Sequence, residues 1–133
     1  MIGESRQQIR EGVVTQVFPS RHSARVEFAD KGGLISDEYP ILVPCAAKNK
    51  FYALPDVGDT VVCLTAGNSE NVGDGWIIGA RYHDKATTKV SSQDVSRMDF
   101  ADGTYIQYDR KRHELRIECA GNVVINGKKI FLN

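Results

Sequence analysis

The sequence is short of almost everything that announces a chemistry. It has no long apolar run: nothing approaches the roughly 18 residues a membrane-spanning helix needs. The opening Met1–Arg10 is polar, without the apolar stretch of a secretory signal. It has no excess of either charge, with 17 basic and 17 acidic side chains, which speaks against a free nucleic-acid binder. Its 3 cysteines, Cys45, Cys63 and Cys119, are odd in number, far apart and without a CxxC pair. Neither a disulfide frame nor a zinc site is expected, and all three read as reduced, buried, small apolar residues. That cysteine usage fits folding in a reducing cytoplasm.

Catalytic constellations are missing as well. His22, His83 and His113 stand singly, with no HxH or HExxH spacing, and read as surface histidines in turns, so no metal or cofactor is expected. Asp56 and Asp59 flank Gly58 and read as turn residues rather than as an acid–base pair. Ser91-Ser92 and Gly73-Asp74-Gly75 match neither a nucleophile elbow nor a phosphate loop. Arg110-Lys111-Arg112-His113 is a four-residue basic cluster between strands and reads as solvated turn charge. The chain is not expected to be an enzyme.

What the sequence does have is period two. Ser5 with Gln8 offers a capping box, but Gly12, Val13 and Val14 follow within a turn, and helical spacing is otherwise nearly absent. About ten strands are expected. The first is Ile9–Phe18, ended by Pro19; then Ala24, Val26 and Phe28 alternate with Arg25 and Glu27. A loop through Asp30, Gly33 and Asp37 leads to Tyr39–Pro44, where Pro40 and Pro44 limit the strand to an edge or a few residues. Asp56-Val57-Gly58-Asp59 is a turn before Thr60–Leu64. A glycine-rich loop, Ala66 to Gly75, precedes Trp76–Tyr82. Five strands in about 80 residues with short turns predict a small barrel or sandwich.

Residues 85–96 contain little to bury and read as a linker. Beyond them, Asp102-Gly103 and Asn126-Gly127 are tight-turn pairs, and five short strands are expected near 97–100, 104–108, 114–119, 122–126 and 129–132. Strands totalling under 40 residues cannot enclose a core of their own, yet their alternation gives one apolar face that must be covered. Other copies of the chain are the economical cover. Three copies about a threefold axis would turn Ile106, Leu115, Ile117, Val123, Ile125 and Ile130 inward and leave Glu114, Arg116 and Glu118 outside. Charge divides the same way: residues 1–84 hold 8 basic and 11 acidic side chains, residues 85–133 hold 9 and 6.

Several stretches, taken in order, resemble one family. "IREGVVTQVFPSRHSARVEFAD", "YPILVPCAAKNKFYALPDVGDTVVCL", "GDGWIIGARYHD" and "DGTYIQYDRKRHELRIECAGNVVING" are similar to the phage baseplate assembly protein V family over about residues 9–130. The resemblance implies an all-β chain with a five-stranded OB-fold barrel at 1–84, a linker at 85–96 and an intertwined trimeric β-helix at 97–133. It implies a homotrimer that forms the central spike of a contractile injection machine: a phage tail baseplate, an R-type bacteriocin or a secretion device. The partners implied are the tail-tube or baseplate hub protein at the barrel end and the target cell envelope. Some spikes of this kind end in a paired-histidine motif that binds iron; this chain runs Lys129-Ile130-Phe131-Leu132-Asn133 without one, so a separate tip protein is expected instead. A lysozyme domain, carried by some relatives, is not expected in 133 residues. The alternative reading is an OB-fold nucleic-acid-binding protein, which would need aromatics set in a basic groove. Here Phe28, Tyr39, Phe51, Tyr52 and Trp76 lack an accompanying basic stripe. A trimeric assembly scaffold is a further rival, absent from a finished particle where a spike would remain.

Overall fold

Alternating apolar residues become strands wherever a neighbouring strand can take their backbone groups, and the chain does this in two separate sets. The computed structural model describes residues 6–67 and 72–133. They fall into two compact units, Met1–Thr87 and Thr88–Asn133. The division lies inside the 85–96 stretch. Secondary structure among the described residues is all β, apart from two three-residue 3-10 turns at Pro19–Arg21 and Ala29–Lys31.

In the first unit β1 (Arg6–Phe18) pairs antiparallel with both β2 (Ser23–Phe28) and β5 (Thr60–Gly67). A bulge between Val14 and Gln16 bends this strand where it pairs with β2. At that bend Gly12 lets the sheet fold on itself. A Cβ there would collide with Val26 Cγ1 and lie 2.9 Å from the Glu27 carbonyl oxygen. β3 (Leu34–Ile35) and β4 (Tyr39–Pro40) both pair with β2, and β6 (Asp74–Ala80) pairs with β5. Just past β4, Ile41 bridges Ile77 of β6 in parallel, and the Leu42 N–H donates to the Ile77 carbonyl at 3.0 Å. The pairings therefore run β1-β2-β4-β6-β5 and return to β1.

Inside this circuit sit Val14, Ala24, Val26, Phe28, Tyr39, Val61, Cys63, Val72 and Ile77. All but Val72, which lies just before β6, are the inward members of each alternation. Each fully buried aliphatic or aromatic contributes about 1.5–3 kcal/mol. The one polar tip among them is satisfied, since the Tyr39 hydroxyl donates to the Val72 carbonyl. Arg10 also points inward from β1. Its side chain is 9% exposed and its guanidinium meets Asp30 at 2.6 Å.

The second unit is a hairpin pair: β7 (Val95–Asp99), β8 (Tyr105–Asp109) and β9 (Glu114–Glu118), in the order β7-β8-β9. The Asp102-Gly103 turn forms as its sequence requires. Gly103 takes φ 92°, where a side chain would be strained, and Asp102 Oδ1 accepts the Thr104 N–H at 2.9 Å. The basic turn after β8 is organised by Asp109, whose Oδ1 accepts the Lys111 and Arg112 N–H groups at 2.9 and 3.1 Å.

Several expectations need correction. Leu34–Ile35, read as loop, is a short strand on β2, and Tyr39–Pro44 pairs only at its start. β7 begins at Val95, so the last two residues of the expected linker are strand. The segments near 122–126 and 129–132 are not strands within the chain, and Gly127 makes no positive-φ turn. Alternation gives them strand character, but among the described residues no neighbouring strand takes up their backbone groups. Cys63 is buried as expected, whereas Cys45 and Cys119 are exposed. The first lies in the long β4–β5 connection and the second just past the end of β9, where no core reaches them. Ser5 of the capping box and Asn68 to Asn71 of the glycine-rich loop lie outside the described residues, and Gln8 is in β1.

Candidate functional site

The feature that asks for a function is one face of the β7-β8-β9 sheet. The register sets Met98 opposite Ile106 and Ile106 opposite Ile117, with Ser96, Tyr108 and Leu115 in the next row. Since alternate residues share a face, Met98, Ile106, Ile117, Tyr108 and Leu115 form one contiguous apolar surface. It is open: Leu115 is 65% and Ile117 53% exposed. Phe100, just beyond β7, is exposed as well.

The opposite face is polar and already partnered. Arg97 pairs with Asp99 at 2.9 Å, donates to Gln107 Oε1 at 2.9 Å and lies 3.6 Å from the centre of the Tyr105 ring. Arg116 reaches Glu114 at 3.2 Å and Glu118 at 3.4 Å. Hydrogen bonding to Asp99 raises the Arg97 pKa, and hydrogen bonding to Glu114 raises that of Arg116. Both guanidiniums therefore stay charged at any working pH. A sheet with one laced polar face and one bare apolar face has its solvent side decided.

Beyond β9 the chain pairs with no other strand among the described residues. Among the described residues, no backbone–backbone hydrogen bond involves residues 121–133. Thr104 Oγ1 holds the Ala120 N–H at 3.1 Å, and the Cys119 thiol approaches the Asn122 carbonyl at 3.4 Å. The apolar side chains of this run are exposed: Val123 55%, Ile125 67%, Ile130 54% and Leu132 91%.

The six residues singled out by sequence therefore divide. Ile106, Leu115 and Ile117 are brought onto one face; Val123, Ile125 and Ile130 are not joined to it by any strand pairing among the described residues. Met98, Phe100 and Tyr108 were missed. Tyr108 has the same parity as Ile106 along β8, so alternation alone reaches it; Met98 requires knowing where β7 begins.

The remaining candidates stay apart. Asp59 accepts the Asp56 N–H through Oδ2 at 2.9 Å and returns its own N–H to the Asp56 carbonyl at 3.0 Å, which is turn chemistry. His22 departs from the surface reading. It is half-buried, takes φ 51° at the end of the first 3-10 turn, places Nδ1 3.2 Å from the Ile41 carbonyl and packs edge-on against Tyr52. His83 is also half-buried, and His113 is exposed at φ 56°. Arg110 is tied to Asp94 at 2.8 Å. Among the described residues, no group of three or more His, Cys, Asp or Glu is placed to hold a metal ion, and no helix is long and apolar enough to cross a membrane. No protein-family model matches the chain, and no curated protein matches it.

Proposed function

We propose that the chain is the homotrimeric central spike of a contractile injection machine. Its first unit would be an OB-fold barrel facing the tail tube or baseplate hub. Its second would be the start of a triple-stranded β-helix aimed at the target envelope. The observation that carries this reading is the C-terminal run of exposed apolar side chains at 121–133, which makes no backbone–backbone hydrogen bond among the described residues and follows directly on an open apolar sheet face. Apolar side chains left open to water are costly, and once they are covered the backbone groups buried beside them need partners of their own. Two further copies, wound about a threefold axis, supply both the missing ladder bonds and the missing cover. The circuit of five strands closed by Ile41 and Ile77 supports the barrel half. The family resemblance supplies the machine.

In that assembly the work is mechanical. Sheath contraction provides the energy, and the spike must keep its fold while it is driven forward. Ladders between chains suit this, because a strand held on both sides by other chains cannot peel away singly. The charged face of β7-β8-β9 would then be the outer surface of the needle, and a separate tip protein would cover its far end.

The nucleic-acid alternative has less support. Phe28 and Tyr39 are buried in the core and cannot stack on a base. Phe18 is covered by Arg21 at 4.9 Å, and Arg21 is itself paired with Glu38 at 2.6 Å.

Hydrogen–deuterium exchange of the intact protein tests the carrying observation. Amides of residues 121–133 should be protected by at least ten-fold over unstructured rates, although among the described residues of the single chain none of them meets a backbone acceptor. Unprotected exchange throughout that run would refute the interchain ladder.

A further inference from the structure

Asn126-Gly127 carries the sequence signature of a tight turn and does not form one. Both residues are exposed, and Gly127 takes no positive φ. Among the described residues the Gly127 N–H meets no backbone acceptor, and the Asn126 side chain makes no hydrogen bond. Asp102-Gly103 is the contrast within the same unit. There the Gly103 N–H donates to the Phe100 carbonyl at 3.1 Å, and Asp102 Oδ1 accepts the Thr104 N–H at 2.9 Å. At that turn the side chain and the nitrogen after it are both held; at Asn126-Gly127 neither is.

An asparagine amide and an unheld backbone nitrogen one residue on are the two reactants of deamidation. The Gly127 nitrogen gives its proton to hydroxide and attacks Asn126 Cγ. The new C–N bond closes a five-membered succinimide, the Cγ–Nδ2 bond breaks, and that nitrogen leaves as ammonia after taking a proton from water. Water then opens the ring at either carbonyl, giving aspartate or isoaspartate. Solvent water is the only co-reactant, and nothing is oxidised or reduced. Asparagine is a thermolabile residue, and a glycine, with no Cβ, leaves the attacking nitrogen unshielded. Asn126 is the only asparagine of the sequence that glycine follows.

We propose that Asn126-Gly127 is a site of spontaneous deamidation in the unassembled chain, and that pairing of residues 121–133 with other copies closes it. The site itself rests on the residues of one chain; its closure rests on the trimeric reading. The product places a carboxylate beside Ile125. Isoaspartate also lengthens the backbone by one methylene, which breaks the strand spacing between Ile125 and Ile130.

The full-length wild type and Ile117→Asp, which charges the proposed seam, are to be aged side by side in mildly alkaline buffer. Light scattering gives the mass of each sample, and Leu115→Asp takes the place of Ile117→Asp should that variant stay trimeric or lose its far-UV circular dichroism. Peptide mass spectrometry reads the conversion of each asparagine to acid, with Asn49 and Asn122 as references in the same chain. In the dissociated variant Asn126 should convert at least ten-fold faster than either reference, and adding Gly127→Ala should bring it down to their rate. In a trimeric wild type Asn126 should convert at least ten-fold more slowly than in the variant. A dissociated chain in which Asn126 converts no faster than Asn49 overturns the site, whatever the mass of the wild type. Equal conversion in a trimeric wild type and the variant overturns the closure. A monomeric wild type with fast conversion supports the site while the spike reading falls.

Discussion

Single residues decide how tightly the first unit can close. Gly75 lies where β6 passes Tyr39; a Cβ there would sit 2.6 Å from the Leu64 carbonyl oxygen and 2.8 Å from Tyr39 Cζ. Neither neighbour can withdraw, because one is ladder backbone and the other is a core ring. Gly75→Ala should therefore cost about 1–3 kcal/mol, the usual penalty for overpacking, read as a lower urea midpoint with an unchanged slope. Two buried acids make a second case. Burial pushes the Cys63 thiol from its ordinary 9.0 up to about 12. It pushes the Tyr39 phenol from 10.0 to about 12 as well. Both are neutral in the fold. Below pH 9 the folded and unfolded chains hold these protons alike, so stability does not depend on them. Above it the unfolded thiol ionises and the folded one does not, and above 10 the phenol follows. Stability should thus fall as pH rises from about 9 to 12. In Cys63→Ala the onset attributable to these two groups should move up to about pH 10, where Tyr39 alone remains; urea midpoints measured from pH 8 to 11 would show it.

Elements show what was legible in the sequence and why. Where alternation coincided with a partner strand in the same chain, as at Ala24-Val26-Phe28 or Leu115-Ile117, strand and face could both be read directly. Leu34–Ile35 escaped because two residues carry no period, and β7 started early because Val95 and Ser96 pair with Asp109 and Tyr108 across a hairpin. Val123, Ile125 and Ile130 have the same alternation as β9 but no strand beside them. Alternation records which face is to be covered and says nothing about which chain covers it. Cys45 and Cys119 were misplaced for a related reason: cysteine is small and apolar, but a loop far from any core leaves it exposed. The apolar face of β7-β8-β9 supplies the decisive variant. Ile117 is 53% exposed and lies opposite Ile106, so Ile117→Asp leaves the hairpins intact and places a charge at the centre of the proposed seam. It should reduce the particle mass from three times 14.7 kDa to 14.7 kDa. A wild-type mass in this variant would remove Ile117 from the interface.

The whole molecule joins two units of opposite needs. The first encloses its own core of nine residues from Val14 to Ile77. The second encloses none and presents its apolar side outward. The net charge of zero is the sum of −3 over residues 1–84 and +3 over residues 85–133. The same unevenness holds for burial, and both follow if the second unit is built to be completed by other copies while the first is complete alone. Trimerisation is therefore the claim on which the spike reading and the needle mechanics both depend. Multi-angle light scattering of the purified full-length chain tests it most directly. It should give three times 14.7 kDa, unchanged on dilution through the micromolar range. A mass of 14.7 kDa at those concentrations would mean that the open apolar face is no interface between copies, and the spike reading would fall with it.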